Sequence, residues 1–114
     1  MALTTRWSNA KKTMTDAGVG LTAFERNLEP TLEEFEKVHG EFVSAGAKQP
    51  KAQAQQLIDV IEVASRVESI VTEYGNILHT MFDKASDQNV RIALLIAASQ
   101  LLNILSEVDP QNLI

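Results

Sequence analysis

The chain has 114 residues, of which 45% are hydrophobic and 22% charged, with five Gly, three Pro and no Cys. That is the size and composition of one ordinary domain able to bury a core, and it excludes collagen-like, disulfide-stapled and low-complexity architectures. Ten Lys and Arg against fifteen Asp and Glu leave a net charge of -5, which repels polyphosphate, so nucleic acid is not expected as a partner.

The charge is unevenly spread. The first fifteen residues carry Arg6, Lys11 and Lys12 without an acid, whereas six Glu between Glu25 and Glu41 face only Arg26 and Lys37. Such asymmetry orients a partner or marks a solvated helix face. The absence of cysteine removes thiol nucleophiles, disulfides and thiolate zinc sites. Met1 to Trp7 has no apolar run ahead of its charges, so no secretory signal peptide is expected. A cytoplasmic location follows as the expectation, with signal-less export leaving no trace to read.

No stretch pairs strand-like alternation with a β-branched or aromatic run, and every periodicity is helical. Leu3, Trp7, Ala10, Met14 and Ala17 are spaced four, three, four and three, which predicts a first helix over about 4–17 with Gly18 as a left-handed stop. Thr22-Ala-Phe-Glu25 reads as a capping box opening a second helix over 22–45. Its apolar positions Leu21, Phe24, Leu28, Phe35, Val38, Phe42 and Ala45, with Thr31 filling the one gap, form a heptad seam of the coiled-coil kind. Pro30 lies inside that seam, and because the phase survives it, a kink is expected rather than a reversal.

Ser44 to Pro50 reads as a loop, with Gly46 as a helix stop and Pro50 suited to a first helical turn. A third helix follows over about 50–85, carrying two adjacent seams. Val60, Val63, Val67, Ile70, Tyr74, Ile77 and Met81 form one; Leu57, Ile61, Ala64, Val71, Leu78 and Phe82 form the other. An apolar arc that wide needs neighbours on two sides. The seams keep phase across Gly75, which therefore marks a weak point or a close-packing site. Ser86 to Asn89 caps a last helix over about 87–108, ended by Asp109-Pro110. Its middle, Ile92 to Leu105, is apolar nearly all round, yet fourteen residues holding Ser99, Gln100 and Asn103 are short and polar for a bilayer span of about 20. The expected fold is one all-α domain over 1–114: an antiparallel bundle of three to four helices, with the second kinked at Pro30 and a tail at Gln111 to Ile114.

Chemistry has few footholds. Glu36-x-x-His39 is the half-motif that di-metal helical bundles use, but such a site needs a second copy, and Asn76 stands three residues before His79. His79, beside the apolar seams, is expected at the core boundary, bonded to a backbone carbonyl. Glu33, Glu34 and Glu36 share an exposed turn where nothing drives their pKa values apart. Neither a nucleophile elbow nor a phosphate-binding glycine loop is present. No catalytic residue, metal site or cofactor is therefore expected, and the chain is not expected to be an enzyme. Trp7 is expected to anchor the first helix; the alternative is a detachable arm for a partner or an anionic membrane.

What remains is a non-enzymatic helical interaction protein, such as an adaptor, small chaperone, inhibitor or assembly subunit, with its partner a second copy or another protein. Its expected contact residues are Val67, Ile70, Tyr74, Leu94, Leu101 and Leu105, on the apolar seams. A membrane-interacting bundle is the first alternative, and a metal-binding bundle built on Glu36 and His39 the second.

Overall fold

The structure is a computed structural model, and it describes residues 3–20, 22–45 and 50–109. Expectations for Leu21, for Gly46 as a stop, and for Pro110 and the tail fall outside those residues. The described chain forms four helices and no strand: α1 (Leu3–Asp16), α2 (Thr22–Ala45), α3 (Pro50–Lys84) and α4 (Gln88–Val108). The all-α bundle expected from periodicity is what the chain adopts.

Three helix ends have a local cause. Gly18 adopts φ 78°, the left-handed conformation that glycine takes without a Cβ penalty. The Val19 N–H reaches the Met14 carbonyl at 2.8 Å and the Gly18 N–H the Thr15 carbonyl at 3.0 Å, the paired bonds of a Schellman cap. Val19 is buried, so the turn after α1 is tied into the core as well as hydrogen-bonded. Asp87 caps α4 by accepting the Asn89 N–H at 2.8 Å. Arg91 reaches back from α4 to the Phe82 and Ala85 carbonyls, both at 3.0 Å, with its guanidinium 4.0 Å from the centre of the Phe82 ring. One cation thus satisfies the orphan carbonyls that end α3 and fixes the α3–α4 hairpin.

α2 runs continuously through Pro30. Proline removes one backbone bond there, and the Thr31 hydroxyl donates to the Asn27 carbonyl at 2.8 Å in the same turn. The chain does not reverse, as the preserved seam requires. The gap in that seam is filled by Leu32, fully buried, where Thr31 was expected; Leu28, Leu32 and Phe35 are the buried residues of α2.

The helices run up, down, up and down. Glu34 of α2 pairs with Arg66 of α3 at 2.8 Å while Phe24 packs on Tyr74, so α2 and α3 are antiparallel. Arg6 at the start of α1 pairs with Glu107 at the end of α4 at 2.7 Å. α3 borders α2 and α4, and α1 closes the ring between them. Of the two α3 seams, neither is buried whole: the interior line is Val60, Val63, Ala64, Val67, Val71, Tyr74 and Leu78, drawn from both. No polar or charged residue is among the buried residues described.

α1 is held by its own chemistry. Trp7 is 1% exposed, edge-on to Tyr74 with ring centres 5.8 Å apart. Burial pushes the Tyr74 phenol up from its ordinary pKa, and its hydroxyl donates to the Met14 sulfur at 3.3 Å. Trp7 is an anchor, as its place in the apolar stripe implies. The basic start and acidic 25–41 stretch meet one another: Glu29 accepts from the Trp7 indole N–H at 3.2 Å and from Lys11, and Glu36 accepts the Thr4 backbone N–H at 3.1 Å, capping α1 from α2.

The Lys11 bond, with the Trp7 indole N–H, holds the Glu29 carboxyl below its ordinary pKa. The folded chain thus binds that proton less tightly than the unfolded one. The stability Glu29 contributes is complete above the ordinary carboxylate pKa of about 4.3 and fades as pH falls through the lower folded value. Thermal melts between pH 6 and pH 3 should show a steeper acid loss in the wild type than in Glu29→Gln; identical slopes would mean that the α1–α2 bridge does not couple to folding.

Candidate functional site

Helix lengths leave the two ends of the bundle with fewer neighbours. At about 1.5 Å per residue, α3 is about 52 Å long and α1 about 21 Å, and the molecule measures 55 × 22 × 20 Å. Its radius of gyration, 15.9 Å, exceeds the roughly 13 Å of a compact chain this long. Four helices surround the core only along α1. Beyond it, α2 and α3 extend as a pair at one end, and α3 and α4 at the other.

Between α3 and α4 lies a groove of about 460 Å³. Its floor is Val71, Leu78, Leu94 and Leu101, each 2% exposed. Thr72, Asn76, His79 and Asp83 of α3 and Leu95 and Leu102 of α4 form the rim. The groove exists because Gly75 has no side chain and Ala98 a short one where the two helices face each other. A Cβ on Gly75 would meet no atom within 4 Å, so this glycine is not a close-packing site.

The apolar surface continues over the ridge of α4. Ile92 and Ile96 are each 46% exposed, Leu95 57% and Leu102 64%. The buried face of the same helix is Ala93, Leu94, Ala97, Leu101, Ile104 and Val108, so α4 is apolar on both sides and covered on one. The other end of the molecule exposes Val43, Ile58 and Ile61, but Glu41, Asp59 and Glu62 interrupt that surface. By length and composition α4 is also capable of crossing a bilayer, a property it shares with core helices of soluble bundles.

The residues expected to make partner contacts separate into two groups. Val67 and Tyr74 are fully buried between helices, and Ile70 is half-buried against the same core. Leu94, Leu101 and Leu105 line the groove, the first two on its floor. Periodicity marked the apolar positions correctly but not which of them remain accessible. Leu95 and Leu102, the most exposed apolar residues of the groove rim, were visible only as part of an all-round apolar run. Their spacing from Ile92 and Ser99, alternating three and four, is the signal that would have found them.

The candidate chemical residues lie elsewhere. His39 stacks between Phe35 and Phe42, with ring centres 5.6 Å and 6.4 Å away, and Glu36 holds the start of α1. No group of three or more potential metal ligands converges among the described residues. Glu34 departs from the expectation that nothing separates the Glu33, Glu34 and Glu36 carboxyls, because its hydrogen bond to Arg66 draws it below its ordinary pKa. His79 departs from expectation: it is exposed, with Nδ1 3.5 Å from Asp83 one turn on, because its position turns it toward the groove rim and solvent.

Two adjacent leucines calibrate the site. Leu101→Asp, which places a charge under the groove floor, should abolish cooperative thermal unfolding, whereas Leu102→Asp should melt within about 0.5 kcal/mol of wild type. Equal effects would mean that α4 is rotated from the orientation described. Gly75→Ala should stabilise the chain by up to about 1 kcal/mol in denaturant titrations, since it improves an unobstructed helix interior; a loss there would show that the groove floor is tighter than its geometry.

No family model, curated protein or solved structure matches this chain, so its functional reading rests on the groove and the α4 ridge beside it.

Proposed function

We propose that this protein is a non-enzymatic helical interaction module, an adaptor, small chaperone, inhibitor or assembly subunit, whose contact surface is the α3–α4 groove with the outer face of α4. The observation that carries the reading is the continuity of the 460 Å³ groove with four large aliphatic side chains, each between 46% and 64% exposed. Single exposed leucines are ordinary on a soluble protein, whereas a contiguous apolar patch beside a groove is the form that interaction sites take. A helix laid along the groove would place one residue per turn against the leucine floor, the mode in which amphipathic helices are recognised.

The paired acids of α2 serve the fold, and the acid on the groove rim, Asp83, lies beside His79. Glu29, Glu34 and Glu36 each hold another helix, and none of the three opens into the groove.

A photo-reactive side chain at Asn76, on the rim, should capture protein when the full-length chain is irradiated in cells, and the same group at Glu33, on the exposed side of α2, should not. Capture should disappear when Leu95 and Leu102 are both changed to Asp. Adducts to lipid alone, together with co-sedimentation on vesicles of mixed neutral and anionic phospholipid, would overturn the reading in favour of a membrane surface. The expected result is a chain that stays in the supernatant.

A further inference from the structure

The interior of the α3–α4 groove is a trench with one-sided charge. Its α3 wall runs from Val71 past Phe82, about 16 Å by the helical rise, and its 460 Å³ lies within the roughly 300–1,000 Å³ of small-molecule sites. The room comes from the middle, where Gly75 has no side chain, Ala98 has only a methyl, and a Cβ on Gly75 would meet no atom within 4 Å. Space opened by one absent and one short side chain between two packed helices is long and thin. That shape suits an unbranched hydrocarbon chain laid over Leu78, Leu94 and Leu101.

The polar groups of the trench follow one stripe of α3: Thr72, Asn76, His79 and Asp83, at steps of four, three and four. Asp83 is the one residue of fixed charge among the described residues that line the groove, with His79 Nδ1 3.5 Å away. One turn back along the stripe, outside the lining, Glu68 is a second acid, and α4 adds no charge from Ile92 to Ser106. The neighbouring charges are directed elsewhere. Arg91 donates to the Phe82 and Ala85 carbonyls, and Asp87 accepts the Asn89 N–H at the start of α4. Lys84 follows Asp83 by one residue, about 100° round the helix, and is not in the lining. Such a trench draws a cation to its Asp83 end and repels an anion along its length.

We propose that the groove binds a single-chain amphiphile with a cationic head, a long-chain amine, its hydrocarbon along the leucine floor and its ammonium group at Asp83. The site goes beyond the protein contact proposed above and stands independently of it, since Ile92 and Ile96 on the outer ridge of α4 stay uncovered. Buried methylenes supply the affinity and Asp83 selects the head. Fatty acids and phosphate-bearing lipids present a similar chain with the opposite charge.

Decylamine, an ammonium ion at pH 7, should bind the full-length protein saturably at one per chain in calorimetric titrations below its micelle concentration, with helicity unchanged, and decanoate should bind at least about tenfold more weakly. Asp83→Asn should weaken decylamine about threefold, the worth of one exposed ion pair, and leave decanol as it was, whereas Glu68→Gln should change neither. Ala98→Leu, which fills the trench, should weaken decylamine and decanol together without lowering the melting temperature. Equal affinity for amine and carboxylate, or wild-type binding by Asp83→Asn, would overturn the cationic head. Affinity untouched by Ala98→Leu would overturn the groove as the seat, and binding that appears only as helicity is lost would overturn the site altogether. None of these outcomes depends on capture by the Asn76 probe, so the two proposals fail separately.

Discussion

The mismatch in length between α1 and α3 governs the architecture. Every residue of an α-helix advances the chain by the same rise, so a helix of 14 residues cannot cover one of 35. The four-helix cross-section therefore exists only in the middle of the molecule, and α2 and α4 each accompany α3 to a different end. Apolar side chains on those extensions have partners on fewer sides. Their exposure follows from the lengths of the helices rather than from poor packing in the core, which is wholly apolar among the residues described.

Given that geometry, α1 does more than its length suggests. It bridges α2 and α4, which do not otherwise meet face to face, and it does so with three kinds of contact at once. Trp7 and Met14 contribute apolar area against Tyr74, the Schellman turn ties Val19 into the core, Glu29 and Glu36 accept its donors on one side, and Glu107 forms an ion pair with Arg6 on the other. Part of the charge asymmetry of the sequence is met inside the molecule, where Lys11 pairs with Glu29. The acidic face of α2 seats the basic first helix.

The helices were legible in the sequence because their signals are local: a three-four spacing, a glycine stop, a capping aspartate. Continuity through Pro30 was legible for the same reason, since a seam in phase on both sides of a proline leaves no room for a reversal. Less legible was which apolar residue is interior. On α3 two neighbouring seams were equally apolar, and the buried line combines them because the directions to α2 and α4 are tertiary facts. Leu32 replaced Thr31 for a similar reason, both residues lying within reach of the same gap. The groove depended on Gly75 facing Ala98 across two helices, and the Trp7–Glu29 bond joins residues 22 positions apart. His79 could not be placed by pattern, because a residue one step off an apolar seam is interior or exposed according to where its neighbour helix stops.

The contact between Arg6 and Glu107 also bears on the order in which the molecule assembles. Of the four helices, α1 is synthesised before the others, and α4, one of the two walls it lies against, after them. The α3–α4 hairpin has its own local fastening in Arg91, whose acceptors lie within nine residues, and the α2–α3 pair is likewise sequential. α1 alone waits for nearly the whole described chain before its site exists. Until that wall is made, the Trp7 and Met14 stripe is an unburied amphipathic segment, and the finished fold conceals it.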